Sequence, residues 1–285
     1  ANLTNEITST DGLPFYIEEA RKIGVAVDPP DVNRSDIVFD VVDGRIVFGL
    51  KGIKGMGEAA AQAIVREREE HGKYKNFMDF IKRVCAITEK DEEGREKTLV
   101  NKKAIEVLIK TGALDNLGES KDKIYNRSTL LANMDAALAF VDDILEDKRN
   151  GQGDLFGELA EEDQVQMDFK FNVIDDMPKM ELLNMEKECI GCYVSGHPLD
   201  QYKKVIENAV TLRASNIERI AAESKAEKAA LEAGGVKPWQ MKDSGKSYIA
   251  LGIITGIHEI TTKKGDRMAF AKLSDYDGQI DLTFF

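Results

Sequence analysis

Residues 50–65 read Leu50-Lys51-Gly52-Ile53-Lys54-Gly55-Met56-Gly57-Glu58-Ala59-Ala60-Ala61-Gln62-Ala63-Ile64-Val65. An apolar residue leads into a Gly-x-Gly hairpin and then into a helix whose small residues recur on one face. Gly55 and Gly57 permit a turn that side chains would block. Ala61 and Ile64 fall where the helix has to pack. The exposed N–H groups of such a turn, backed by the positive end of the following helix, form an anion site suited to one phosphate. Lys51 and Lys54 add Coulomb attraction.

This is the requirement of a helix-hairpin-helix, in which two helices cross closely over a turn free of side chains. Contact of this kind engages the nucleic-acid backbone and reads no bases. A plain interhelical turn with solvated lysines is the bland alternative. A second, degenerate copy lies at Val100 to Leu117 and lacks the Gly-x-Gly hairpin, which makes it a structural partner for the first.

Charge places the same block in relief. The chain has 285 residues and a formal net charge of −12. Residues 1–44 hold three Lys/Arg against nine Asp/Glu, whereas residues 45–118 hold fifteen against twelve. The only basic part of the chain is therefore the block that carries the hairpin.

The length suits two or three domains. The spacing predicts a helix over 14–22, short strands at 37–42 and 45–48 around an Asp43-Gly44 turn, and helices near 57–70, 76–84, 101–110 and 120–148. Tandem prolines at Pro29-Pro30 forbid helix, with Asp28 and Asp31 fixing turns. Residues 151–177 are acidic and Gly-containing with no sustained period, the mark of a long loop. Helix resumes at 178–187, and Ala214 to Ala233 has the Ala/Glu/Lys composition of an exposed helix. Residues 247–285 alternate in the manner of three antiparallel strands with turns at 263–266 and 277–278. The fold class expected is α+β and multidomain, a mostly helical module followed by a partial antiparallel sheet.

No apolar run reaches the roughly 18 residues of a membrane span, so no membrane partner is expected. Three cysteines fit a reducing, cytoplasmic setting. The absence of an initial Met suggests an excised piece of a longer protein. Cys189-Ile-Gly-Cys192 with His197 gives three quarters of a zinc knuckle, but position 202 is Tyr, and buried thiols are the better account. Neither a catalytic group nor a metal ligand is assigned, and no P-loop, nucleophile elbow or dinucleotide fingerprint is present.

Five stretches carry a resemblance to the alpha subunit of bacterial DNA polymerase III, a C-family replicative polymerase. They are Ala20 to Ser35, Arg45 to Gly57, Leu108 to Asp115, Tyr193 to Asp200 and Thr262 to Phe270, in the family's order. The resemblance implies the end of a fingers domain over 1–48 and a tandem helix-hairpin-helix DNA-binding module over 49–150. It implies an acidic loop with a clamp-binding motif over 151–178, a helical linker over 179–245 and the N-terminal part of an OB-fold over 246–285. The palm carboxylates that hold Mg²⁺ for nucleotidyl transfer would lie upstream of Ala1. No cofactor is expected in this piece, which is expected to be inactive alone.

The resemblance also accounts for an odd pair. Leu155-Phe156 sits between glycines in an acidic run where no amphipathic element buries it, and clamp-binding segments of this family resemble Gln152-Gly153-Asp154-Leu155-Phe156. Leu155 and Phe156 would fill an apolar pocket on the ring-shaped clamp, with Gln152 and Asp154 at its rim. Lys263, Lys264, Arg267 and Phe270 would handle single-stranded template by phosphate contact and base stacking. Implied partners are duplex DNA, single-stranded template, the sliding clamp and other replisome subunits. The competing functional class is a helix-hairpin-helix adaptor for DNA repair or recombination.

Overall fold

A computed structural model of the chain describes residues 2–7, 9, 12–90, 93–94, 96–118, 125–149, 169–234, 246–261 and 265–285. These form two compact units, residues 1–196 and 197–285. Each is α+β, the first mostly helical and the second containing a three-stranded antiparallel sheet.

The first unit opens with α1 (Asn2–Asn5) and α2 (Gly12–Lys22). The latter starts two residues before the expected Pro14, because the Gly12 amide donates to Ser9 Oγ at 3.0 Å. A small sheet follows, with β1 (Val27–Asp28) parallel to β3 (Arg45–Val47), and β2 (Asp40–Val42) antiparallel to β3. The β2–β3 turn is Asp43-Gly44, both at positive φ (52° and 74°), as a tight right-twisting hairpin needs. The strand expected from Ile37 begins only at Asp40. The Asp36 and Ile37 carbonyls instead accept the Leu50 and Lys51 amides at 2.9 and 3.0 Å, which folds residues 36–39 over the 3-10 turn Leu50–Gly52. Val38 backbone then occupies the space a Gly49 side chain would need.

Then come α3 (Glu58–His71), α4 (Phe77–Cys85), the hairpin β4 (Thr88–Lys90) and β5 (Glu96–Thr98), α5 (Lys102–Lys110), α6 (Arg127–Arg149) and α7 (Lys179–Ile190). Asn76 and Asn101 cap α4 and α5 by accepting the Asp79 and Ala104 amides, each at 2.9 Å; such caps are worth about 1 kcal/mol. One apolar core runs through the unit, built on Ile17, Phe48, Leu50, Ile53, Ile64, Phe80, Ile81, Ile105 and Leu108. Within α3 the residues turned into it are Ala60, Ala61, Ala63, Ile64 and Val65. Ala61 and Ile64 are fully buried, at the positions the sequence assigns to packing.

The Asp28–Ser35 loop is rigidly held. Asp31 accepts the Asn33 amide on Oδ1 (2.7 Å) and Asn116 Nδ2 on Oδ2 (2.9 Å). Arg68 of α3 donates to the Val32 and Ser35 carbonyls at 2.9 and 2.7 Å. Asp28 is held by Arg34 and, through Nε at 2.8 Å, by Arg45. The Arg45 hydrogen bonds draw its carboxyl below the ordinary carboxylate range, against the opposing effect of burial. Both aspartates thus serve the turn.

The second unit contains the 3-10 turn Pro198–Tyr202, α8 (Lys203–Ala209), α9 (Ile217–Ala233) and the meander β6 (Ile253–Thr261), β7 (Arg267–Ser274), β8 (Gln279–Phe284). Register pairs Phe270 with His258 on one side and Thr283 on the other, and Ala269 with Glu259 and Phe284. A bulge interrupts β6 between Ile254 and Gly256. α9 buries no residue, in keeping with its alanine-rich, charged composition. Tyr276 Oη donates to Asp200 at 2.8 Å, tying the turn after β7 to the Pro198–Tyr202 turn.

Candidate nucleic-acid interface

The hairpin of the basic block runs from Ile53 to Gly57, between the Leu50–Gly52 turn and α3. Ile53 and Met56 point inward and are buried, at 1% and 7% exposure. They anchor the turn from beneath. Gly52 is buried against the Phe48 ring, which lies 2.8 Å from where its Cβ would stand. Gly55 adopts φ +92°, a conformation open to glycine and costly to other residues.

Gly57 differs from both. Its φ of −73° is ordinary, and a Cβ there would meet nothing within 4 Å. Among the described residues, nothing demands glycine at this position. Gly57 is the N-cap of α3 and makes no side-chain cap hydrogen bond, so the N-cap leaves the first-turn amides of α3 without a side-chain acceptor. Among the described residues, the amides of Gly55 and Gly57 reach no acceptor. A shallow pocket of about 200 Å³ runs beside them, lined in part by Ser9, Lys51, Gly52, Lys54, Gly55 and Met56.

The two lysines assigned from sequence lie at this hairpin, and Lys51 has a carboxylate partner. Lys51 Nζ is 2.8 Å from Glu58 Oε2 in the first turn of α3. Lys54 donates its amide to the Cys189 carbonyl at 2.7 Å. Its ammonium lies over Gly191, the left-handed cap of α7, 3.7 Å from where that residue's Cβ would be, and forms no ion pair among the described residues. A third lysine was missed by sequence reasoning. Lys103, in the first turn of α5, passes its Cε within 3.4 Å of the Gly55 Cβ position.

The degenerate copy looks different. After α5, Gly112 turns at φ +75°, and the space its Cβ would need is taken by Arg127 Nη2. Arg127 is buried, bonds Asp115 through Nε (3.0 Å) and Nη2 (2.7 Å), and reaches the Lys110 carbonyl at 3.2 Å. A guanidinium already sits on this hairpin. The Ala113 carbonyl accepts the Val32 amide at 3.0 Å, so the copy supports the loop beside the first hairpin.

The remaining sequence-assigned residues divide. Gln152, Asp154, Leu155 and Phe156 lie outside the described residues, as do Lys263 and Lys264. Arg267 opens β7 opposite Thr261. Phe270 is 42% exposed opposite His258 and Thr283. Being three residues apart on one strand, Arg267 and Phe270 stand on opposite faces of the sheet.

Cys189 and Cys192 are free and buried. Burial pushes the Cys192 thiol up to about 12 and raises Cys189 as well, the opposite of what a metal-binding thiolate needs. Among the described residues, no cluster of three or more His, Cys, Asp or Glu could hold a metal ion, and no helix is long and apolar enough to cross a membrane.

A family profile described as a helix-hairpin-helix motif matches residues 24–124. The chain is 38% identical over its whole length to DNA polymerase III subunit alpha of Borreliella burgdorferi, covering 22% of that protein. The corresponding figures are 36% and 21% for the same subunit of Treponema pallidum, and 29% and 21% for that of Escherichia coli K12. The chain spans about a fifth of the length of these relatives. With its hairpin inside the helix-hairpin-helix match, the chain is similar over its entire length to a segment of DNA polymerase III alpha subunits.

Proposed function

We propose that this chain grips duplex DNA without regard to sequence, in the service of a replicative polymerase, with the Ile53–Gly57 hairpin as the contact. The observation that carries the reading is Gly57, a glycine with ordinary φ and open space at its Cβ position, beside amides that reach no internal acceptor. A backbone phosphate can approach such a surface to hydrogen-bond distance. The Gly55, Gly57 and first-turn α3 amides then donate to its oxygens, and the helix dipole favours its charge. Phosphate contacts position a protein on DNA and carry no sequence information. The relatives named as polymerase subunits supply the setting, and this chain contributes hold on product duplex and no chemistry of its own.

Fluorescence anisotropy with two duplexes of unrelated sequence tests this. Equal affinities that fall log-linearly with salt are expected. Absence of binding, or strong preference for one sequence, contradicts it.

Clamp tethering through Gln152, Asp154, Leu155 and Phe156 is the second part of the reading. It is supported by the isolated Leu-Phe pair in an acidic, glycine-flanked run. Burying the two side chains contributes roughly 1.5–3 kcal/mol each before ordering costs, which suits micromolar attachment strengthened by simultaneous DNA contact. Calorimetric titration with a bacterial sliding clamp should give heat for the wild type and none for Leu155→Ala/Phe156→Ala; equal heats reject it. Template handling by the sheet would use Phe270 for stacking on one face and Arg267 for phosphates on the other.

A further inference from the structure

Of the cations adjacent to the hairpin in sequence, Lys51 is paired with Glu58, and Lys54 directs its ammonium away over Gly191. Lys103 is placed otherwise. It arrives from α5, and its Cε lies within 3.4 Å of the Gly55 Cβ position, alongside Val107 Cγ1 at the same distance. Its backbone position is itself unusual. The first turn of α5 holds Lys102 and Lys103 and no acidic residue, so two cations stand at the positive end of a helix, where the dipole disfavours them. Lys102 is offset by Asp135, whose Oδ1 is 2.6 Å from its Nζ. Lys103 is exposed, and no ion pair is formed by it among the described residues.

We infer that Lys103 is the cation that completes the phosphate site: its ammonium, carried across Gly55 by α5, contacts the DNA phosphodiester held by the hairpin amides. The inference rests on the reading of that hairpin as a duplex contact. It leaves the need for glycine at 55 to its φ, since a Cβ there would stand only in ordinary van der Waals contact with the Lys103 stem. It also gives the second helical pair a role in binding: its own hairpin is filled by Arg127, while its α5 start supplies a charge to the first.

Duplex titration of the full 285-residue chain over a series of salt concentrations, with Lys103→Ala, Lys103→Arg, Lys102→Ala and Gly57→Asp, tests this. Lys103→Ala should bind roughly fivefold to tenfold more weakly and reduce the slope of log affinity against log salt by about one. Lys103→Arg should restore most of both, and Lys102→Ala should change the slope by much less. If Gly57→Asp abolishes binding while Lys103→Ala matches the wild type or Lys102→Ala, the hairpin reading stands and the role of Lys103 is wrong. If the wild type does not bind duplex, both fall.

Discussion

The two hairpins of the first unit share a motif and differ in what occupies their outer face. At Ile53–Gly57 the space at the Gly57 Cβ position is open, and among the described residues the amides of Gly55 and Gly57 reach no acceptor. At Gly112 the equivalent space holds the Arg127 guanidinium, fastened to Asp115 and the Lys110 carbonyl. The second hairpin is closed by its own cation; the first is open at Gly57. A glycine whose absence of side chain has no internal cause points outward, and one whose space is filled points inward.

Substitutions can break this contrast. Gly112→Ala should do most damage, since it meets both a positive φ and a buried guanidinium; about 2–4 kcal/mol of stability should be lost in urea unfolding followed by circular dichroism. Arg127→Ala should cost about 2 kcal/mol, leaving Asp115 and the Lys110 carbonyl without their donor, and should not create a second DNA site because Asp115 remains. Gly55→Ala should cost about 1–2 kcal/mol through its φ alone.

Acid sharpens the comparison from the side of the first hairpin. Asp28, bound to Arg45 in the strand that leads into it, has its folded pKa held below the unfolded value of about 3.9. Its contribution is therefore present above that value and lost as pH falls through the folded pKa. The wild type should lose more urea stability between pH 5 and pH 3, to use roughly the window of carboxylate titration, than Asp28→Asn does. Equal losses would show the pair to be unimportant.

The sequence made the first hairpin legible because a Gly-x-Gly turn followed by inward-facing Ala61 and Ile64 is a local requirement written in adjacent residues. The β6–β8 meander was equally readable from its alternation and turns. The parallel pair β1–β3 was not, since two residues carry no period. The β4–β5 hairpin was missed because Thr88-Glu89-Lys90 and Glu96-Lys97-Thr98 lack apolar alternation. At the site, the glycines and their neighbours were identified, but the partners of the lysines were not. Lys54 is drawn to α7, far along the chain, and Lys103 reaches Gly55 only through the crossing of α5. Such contacts belong to tertiary packing. Two adjacent lysines opening a helix with no acidic companion were the one local signal that could have drawn attention to Lys103.

The smallest expected change in stability accompanies the largest expected change in binding. Gly57→Asp places a good N-cap residue in open space at an extended φ, so urea stability should stay within about 0.5 kcal/mol of the wild type or rise. The same carboxylate would satisfy the first-turn amides and repel a phosphate. Duplex anisotropy on this folded variant is the most direct test of the account: affinity reduced more than about tenfold is the predicted result. Wild-type affinity in a variant of wild-type stability would show that DNA does not bind at this hairpin.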